Sequence, residues 1–305
     1  MSSLSVSPHI HSGRSTTKIM GDVIISLLPA TVAGTMIFGW RTLLVVATCI
    51  ISSVVFEALF NLIVKKDQTI SDLSAVVTGL LLALNLSVNI PLWQCAVGSL
   101  FAIVIVKCVF GGIGKNLVNP AITARVFMLI AFSTLATPAF PVGTVDATAS
   151  ATPLTADVLP SVFDLFIGKH GGAIGETSVL ALLIGGVYLL IRRVISWHIP
   201  ATFIGVVFIF SLFMEGFNLD TALSLTMSGG LFIGAIFMAT DYTTSPPTPL
   251  GKIIFGVGCG LLTGVIRYFG TYPDGVSFAI LFMNILTPYI CNWTKRKVFT
   301  KGGKK

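Results

Sequence analysis

The chain is a near-continuous series of apolar blocks separated by short polar connections. The blocks run from Met20 to Phe38, Leu43 to Val64, Leu73 to Leu86, Leu92 to Phe110, Ile122 to Leu135, Ser178 to Ile191, Ala201 to Met214, Leu223 to Ala239, Ile253 to Phe269 and Val276 to Trp293. A bilayer core of about 30 Å takes about 20 apolar residues as a helix, and hydrocarbon tolerates only backbone that satisfies its own hydrogen bonds. The pattern therefore predicts an all-α polytopic membrane protein with about ten transmembrane helices, folded as a single membrane domain over residues 1–305. The third, fifth and sixth blocks are short for a span. Short or interrupted segments point to binding sites in transport-type folds.

Composition removes the alternatives. The chain is 54% hydrophobic and 10% charged, against roughly 25% charged in a soluble domain. No sizeable soluble domain fits. The net charge of +7 is read as topology, not as a nucleic-acid footprint, because basic residues mark the cytoplasmic side of membrane proteins. With a cytoplasmic amino terminus, all of the 19 basic residues except Arg41, Lys169 and Arg267 fall in the leader (1–19), the cytoplasmic connections or the basic tail (294–305). Both termini are thus expected in the cytoplasm, and the connection 136–177 outside. The leader, with His9, His11, Arg14 and Lys18, runs into the first block with no evident cleavage site. The five cysteines have no CxxC spacing and read as small packing residues. No metal set and no catalytic set is expected from this chain alone.

The connection 136–177 is longer than joining two helices requires. It contains Asp146-Ala147-Thr148-Ala149-Ser150-Ala151-Thr152-Pro153. Pro153 biases Thr152 away from helical angles towards extended backbone, which presents the hydroxyl. Two readings stay open from the residues themselves: a plain solvated loop, or a modification site that a second protein reads in extended form.

Other candidate chemistry sits at the block ends. Gly111 to Ala121 combines flexible glycines with Asn116, Asn119 and Pro120. Its amides either offer donors and acceptors to the polar edge of a planar heterocycle or satisfy their own turn. In the segment from Ala239 to Lys252, three prolines in four positions end the helix just after Asp241. Carboxylates inside or beside apolar blocks are candidates for an ion path: Glu57 above all, with Asp72, Asp241 and Asp274. Arg267 and Asp274 bracket one turn and read equally as a salt bridge. Gly256, Gly260 and Gly264 recur every fourth residue, the mark of close helix packing. Lys107 to Gly111 with Asn119-Pro120 echoes Arg267 to Gly270 with Tyr272-Pro273, which points to an inverted five-plus-five repeat.

These residues carry a resemblance. Ser7-Pro8-His9, Ile19-Met20, Asn119-Pro120-Ala121, Ala239-Thr240-Asp241 through Ser245-Pro246, Tyr272-Pro273-Asp274-Gly275-Val276 and Met283-Asn284 together resemble the family of membrane subunits shared by the Rnf and Nqr redox-driven ion pumps. The run from Asp146 to Thr152 is similar to the site at which a flavin transferase esterifies FMN to threonine in that family. The resemblance implies covalent FMN on Thr152, with Asp146, Ser150 and Ala151 in the recognition pattern. Ser150 stands where the family usually has glycine, a small-for-small change. The resemblance also implies a non-covalent riboflavin in the helix bundle, with Asn116 and Asn119 at the matching amide positions, and a fold like that of urea transporters. It further implies an electron-transfer subunit of an ion-translocating ferredoxin:NAD oxidoreductase, not catalytic alone, in a bacterial or archaeal cytoplasmic membrane. Its partners would be the other Rnf subunits, the flavin transferase and membrane lipid. A stand-alone secondary transporter and a non-redox scaffold remain as alternatives.

Overall fold

A computed structural model describes residues 15–132, 139–141, 154, 160–270 and 275–295. Every predicted apolar block contains helix there. The helices are α1 (Thr16–Phe38), α2 (Arg41–Val64), α3 (Ser74–Leu84), α4 (Leu92–Leu100, continued in wider π-type turns over Phe101–Cys108), α5 (Pro120–Ala131), α6 (Val162–Ile167), α7 (Val179–Ile191), α8 (His198–Met214), α9 (Leu219–Met227), α10 (Leu231–Ile233, continued over Gly234–Met238), α11 (Pro249–Phe269) and α12 (Val276–Thr294). Four of them, α1, α2, α11 and α12, are long and apolar enough to cross a bilayer, and α9 with Leu231–Met238 makes a fifth span if the bent pair is counted as one. The chain is a multi-pass membrane protein. A continuous core of buried apolar side chains joins these helices.

Helix starts follow local chemistry. Ser15, Asn119, Ser178, Asn218 and Thr248 each accept a hydrogen bond from a backbone N–H of the first turn. Pro120 and Pro249 occupy the first helical position, where a missing N–H costs nothing.

Polar ties define the two ends of the bundle. At one end Thr17 Oγ1 donates to Ser71 O, Lys252 Nζ to Ser196 Oγ and Thr248 Oγ1 to Thr294 Oγ1, and Arg192 pairs with Asp22 at 3.3 Å. At the opposite end Arg41 Nε donates to Val88 O and Tyr268 Oη to Glu215 Oε1.

Two helices stop inside the bundle. With 11 residues, α3 is only about 16 Å long, and the chain continues through 85–91 without regular structure. The eighth block, predicted as one helix from Leu223 to Ala239, is instead broken at 228–230 and bent by 64°. Gly229 there has φ +70°, a left-handed angle that glycine adopts freely. The break frees backbone carbonyls, and the Arg267 guanidinium donates to two of them, Leu225 O at 2.9 Å and Ser228 O at 3.0 Å.

Glycine sets the closest helix crossings. A Cβ on Gly185 of α7 would stand 2.0 Å from Ser26 O of α1. The every-fourth glycines of α11 face α8, where a Cβ on Gly256, Gly260 or Gly264 would meet Thr202, Val206 or Phe210. Gly205 of α8, by contrast, has nothing within 4 Å of its Cβ position. Gly185→Val is therefore expected to destabilise the detergent-solubilised protein by about 1–3 kcal/mol through overpacking. Gly205→Ala should leave its thermal unfolding midpoint unchanged or slightly raised, and a scan of both variants checks the contrast.

Candidate functional site

A cavity of about 90 Å³ lies between α1, α3, the turn before α5 and the connection after α10. Its walls are apolar where the helices face it, with Met20, Leu81, Ala121, Leu189 and Phe237, and polar at the mouth, with Asn116, Asn119, Thr240, Asp241 and Thr243. The two sequence segments singled out for chemistry, Gly111 to Ala121 and Ala239 to Lys252, thus meet at one site.

The two amides behave differently. Asn119 caps α5, its Oδ1 accepting from Ala121 N and Ile122 N, while its Nδ2 donates to Met238 O at 3.2 Å. That side chain is committed to holding α5 against the end of the π-type turns. Asn116 Oδ1 is buried with no hydrogen-bond partner among the described residues. A buried acceptor in that state costs free energy until a donor reaches it. Asn116 is the amide that can serve a ligand.

Asp241 sits at the cavity mouth in the connection outside the helices. Its carboxylate accepts from Thr243 N at 3.2 Å, Thr243 Oγ1 at 2.8 Å and Thr244 Oγ1 at 3.3 Å. Burial pushes the carboxyl above the ordinary carboxylate range, and the hydrogen bonds from Thr243 and Thr244 pull the other way. Asp72 has a structural duty as well, accepting from Ser74 N and Ser74 Oγ at the start of α3.

Glu57 lies in the bundle beside a cation that the charge pattern assigns to a cytoplasmic connection. Lys107 is 2% exposed, and its Nζ is 2.8 Å from Glu57 Oε1. The ammonium also donates to Glu57 Oε2 at 2.9 Å and Ser74 Oγ at 2.6 Å. Thr69 Oγ1 donates to Glu57 Oε1 at 2.6 Å and accepts from Asn61 Nδ2. Lys107 lies in the π-type turns that continue α4 and is buried there against Glu57 and Ser74. Lys107 and Ser74 also line the cavity, so the buried ion pair and the cavity share a wall. One sequence signal could have found this pair: two lone opposite charges, each inside an apolar block, need each other in hydrocarbon.

Arg125 belongs by the same charge pattern to a cytoplasmic connection, yet it lies within α5. Its Nη1 donates to Asn85 Oδ1 at 2.7 Å. Thr152, Asp146, Ser150, Ala151 and Asp274 lie outside the described residues.

Kinship with known proteins bears on this arrangement as a whole. A model of the NQR2, RnfD, RnfE family matches residues 3–300. The chain belongs to that family. Three relatives named as RnfD-type components of oxidoreductase complexes show how close the kinship is. The chain is 46% identical over 304 residues to the one from the Na(+)-translocating ferredoxin:NAD(+) oxidoreductase complex of Acetobacterium woodii, covering 97% of this chain and 94% of the relative. It is 40% identical to that of the proton-translocating ferredoxin:NAD(+) oxidoreductase complex of Clostridium ljungdahlii, covering 96% and 94%. It is also 33% identical to that of the ion-translocating oxidoreductase complex of Halorhodospira halophila, covering 98% and 96%. Family members thus include relatives named for sodium and for proton translocation, and membership alone does not choose the ion.

Replacing one partner of the buried pair tests its role in the fold. Glu57→Gln leaves the Lys107 ammonium without its counter-charge and is expected to cost about 3–5 kcal/mol. The double variant Glu57→Gln with Lys107→Met should recover most of that loss. Denaturation in detergent measures both, and equal destabilisation by single and double variants would contradict the pairing.

Proposed function

We propose that the chain is the RnfD component of an ion-translocating ferredoxin:NAD oxidoreductase complex and carries electrons across its membrane part through two flavins. The observation that carries this reading is kinship over nearly the whole chain with relatives named as that component. FMN esterified to Thr152 and riboflavin in the cavity would supply the redox chemistry, while the chain positions them. The other subunits of the complex and a flavin transferase are the partners this assigns.

The cavity suits the polar edge of a riboflavin ring. Asn116 Oδ1 is a buried acceptor in want of a donor, and Thr243 and Thr240 stand on the same mouth. At about 90 Å³ the space is below the roughly 300 Å³ at which ligand pockets begin. Full entry of the ring therefore requires the mouth to open. Tyr242, half exposed, and the glycine-bearing turn 111–114, with Gly111, Gly112 and Gly114 at positive φ, are the parts able to move.

The reading extends to topology. Ten membrane segments in two inverted halves accord with the packing, while both termini in the cytoplasm and Thr152 on the outer side rest on the distribution of basic residues. The first helices of each half, α1 and α7, pack together, as do the last, α5 and α12. Within each half the second helix packs along the fourth, α2 on α4 and α8 on α11. Homotypic pairs of this kind are what a two-fold relation between halves produces. Glu57 is the acid best placed for an ion path, because it lies buried within α2, whereas Asp72 and Asp241 lie in connections between the long helices.

Mass spectrometry of the chain purified with its complex is expected to find one added FMN that disappears in Thr152→Ala. Acid extraction should also release riboflavin. Asn116→Leu should weaken retention of that second flavin by roughly tenfold, the loss of one well-placed hydrogen bond, with the covalent FMN unchanged. A chain bearing no flavin when produced beside the transferase would leave a scaffold or a stand-alone transporter instead.

A further inference from the structure

An unbroken line of hydrogen bonds runs from the surface of the bundle to the wall of the cavity. It starts at Asp72, half-buried in the connection between α2 and α3, where Asp67, Gln68, Thr69 and Ser71 are exposed. Ser74 Oγ donates to Asp72 Oδ1 at 2.5 Å and accepts from Lys107 Nζ at 2.6 Å. Ser74 and Lys107 are both buried, and both line the cavity. One end of the line is thus a carboxylate within reach of water, and the other an ammonium in the wall of the space to which the second flavin is assigned above.

The arrangement suits the passage of a proton. Lys107 Nζ has three protons and three acceptors, Glu57 Oε1, Glu57 Oε2 and Ser74 Oγ. An ammonium that gives up one proton becomes an amine with a lone pair, and a serine hydroxyl both donates and accepts. Glu57 supplies the drive for recovery. Its carboxylate is held in place by Thr69 Oγ1, which donates to it at 2.6 Å and is itself held by Asn61 Nδ2 at 3.1 Å. A buried carboxylate that loses its counter-charge is costly, so the amine takes back a proton from the donor that the line offers.

We propose that Lys107 is the proton donor to the flavin of the cavity and is refilled from the medium through Ser74 and Asp72. This rests on the flavin reading above. Reduction brings electrons to the ring from the low-potential donor of the complex, reduced ferredoxin, and protons to the ring nitrogens. For each proton, one Nζ–H bond of Lys107 breaks and one N–H bond forms on the ring. The Ser74 hydroxyl then turns and gives its proton to the Lys107 amine, while Asp72, protonated by a hydronium ion from the medium, gives its own to Ser74 Oγ. In sum one proton leaves the medium and one arrives on the ring, and Asp72, Ser74 and Lys107 return to their starting states.

The test follows flavin reduction by dithionite in the purified complex, by stopped-flow absorbance in water and in deuterium oxide. The phase missing from Asn116→Leu reports the second flavin, and in wild type it is expected to slow in deuterium oxide. Ser74→Ala keeps every charge and should slow that phase at least tenfold, within what a positioned proton donor supplies. Ser74→Thr should restore it to within about twofold of wild type. Asp72→Asn still accepts hydrogen bonds but relays no proton, and should be as slow as Ser74→Ala. Acid extraction, done before the kinetics, should find the same riboflavin content in wild type and in these variants. A merely structural role would lower that content and leave the isotope effect as it was. Where Ser74→Ala fails to assemble, Asp72→Asn decides. A wild-type rate in either variant with the flavin retained overturns the proposal, as does slowing confined to Thr69→Val, which would route the proton through Glu57. Wild type that releases no riboflavin overturns the flavin reading and this one with it, a result that the extraction tells apart from the others.

Discussion

A helix that stops part-way through a bilayer leaves backbone carbonyls with no water to turn to, and much of this structure follows from how they find donors. The last carbonyls of a helix lack intrahelical donors, and hydrocarbon offers none. At the end of α3 the donors are backbone N–H groups of Ile174 and Gly175 and the side-chain amide of Asn85. Backbone can approach backbone that closely only where side chains are small: a Cβ on Gly175 would stand 2.6 Å from Leu84 Cβ, and one on Gly34 2.6 Å from Ile174 O. The segment 170–178 is consequently buried throughout. The end of the long connection that leads to α7 is therefore fixed in the bundle by α3.

The second interruption uses a different donor. Between α9 and α10 the freed carbonyls of Leu225 and Ser228 are taken by the Arg267 guanidinium. One break is thus closed by backbone and amide, the other by a cation, and the two halves of the chain differ where an inverted repeat would make them alike. The charged side chains inside the bundle are not there for stability alone. Desolvating an ion pair costs about as much as the pair returns, and an apolar pair of equal volume often does as well. Lys107 with Glu57 is such a pair, and its net contribution to stability is small although removing one partner alone is costly.

Much of this is legible in the sequence, for reasons that particular residues show. The long helices α1, α2, α11 and α12 follow from uninterrupted apolar length, and the glycine ridge of α11 from its four-residue spacing. The break in the eighth block is not legible, because Gly229 and Gly230 sit in an apolar run where glycine also serves tight packing. Lys107 is counted with the cytoplasmic basic residues although it lies within its block, and its partner Glu57 is fifty residues away, so the pair is found only by matching two lone opposite charges in separate apolar blocks. Asn119 reads as a ligand amide, whereas Asn before Pro at a helix start is itself a capping signature. Asn116, with no such duty, keeps the role. Thr152 and its neighbours rest on the family resemblance and lie outside the described residues.

The shared wall between cavity and buried ion pair supplies a physical route by which a charge change at one is felt at the other. Lys107 touches the cavity, Glu57 and Ser74 at once. An occupant that gains negative charge beside Lys107 competes with Glu57 for the same ammonium. In a poorly screened interior that competition is strong at short range and weak beyond it. An equilibrium between two arrangements moves only by the difference in how the occupant interacts with each. An anionic occupant would thereby loosen Glu57 from Lys107, and a neutral one would leave the pair intact.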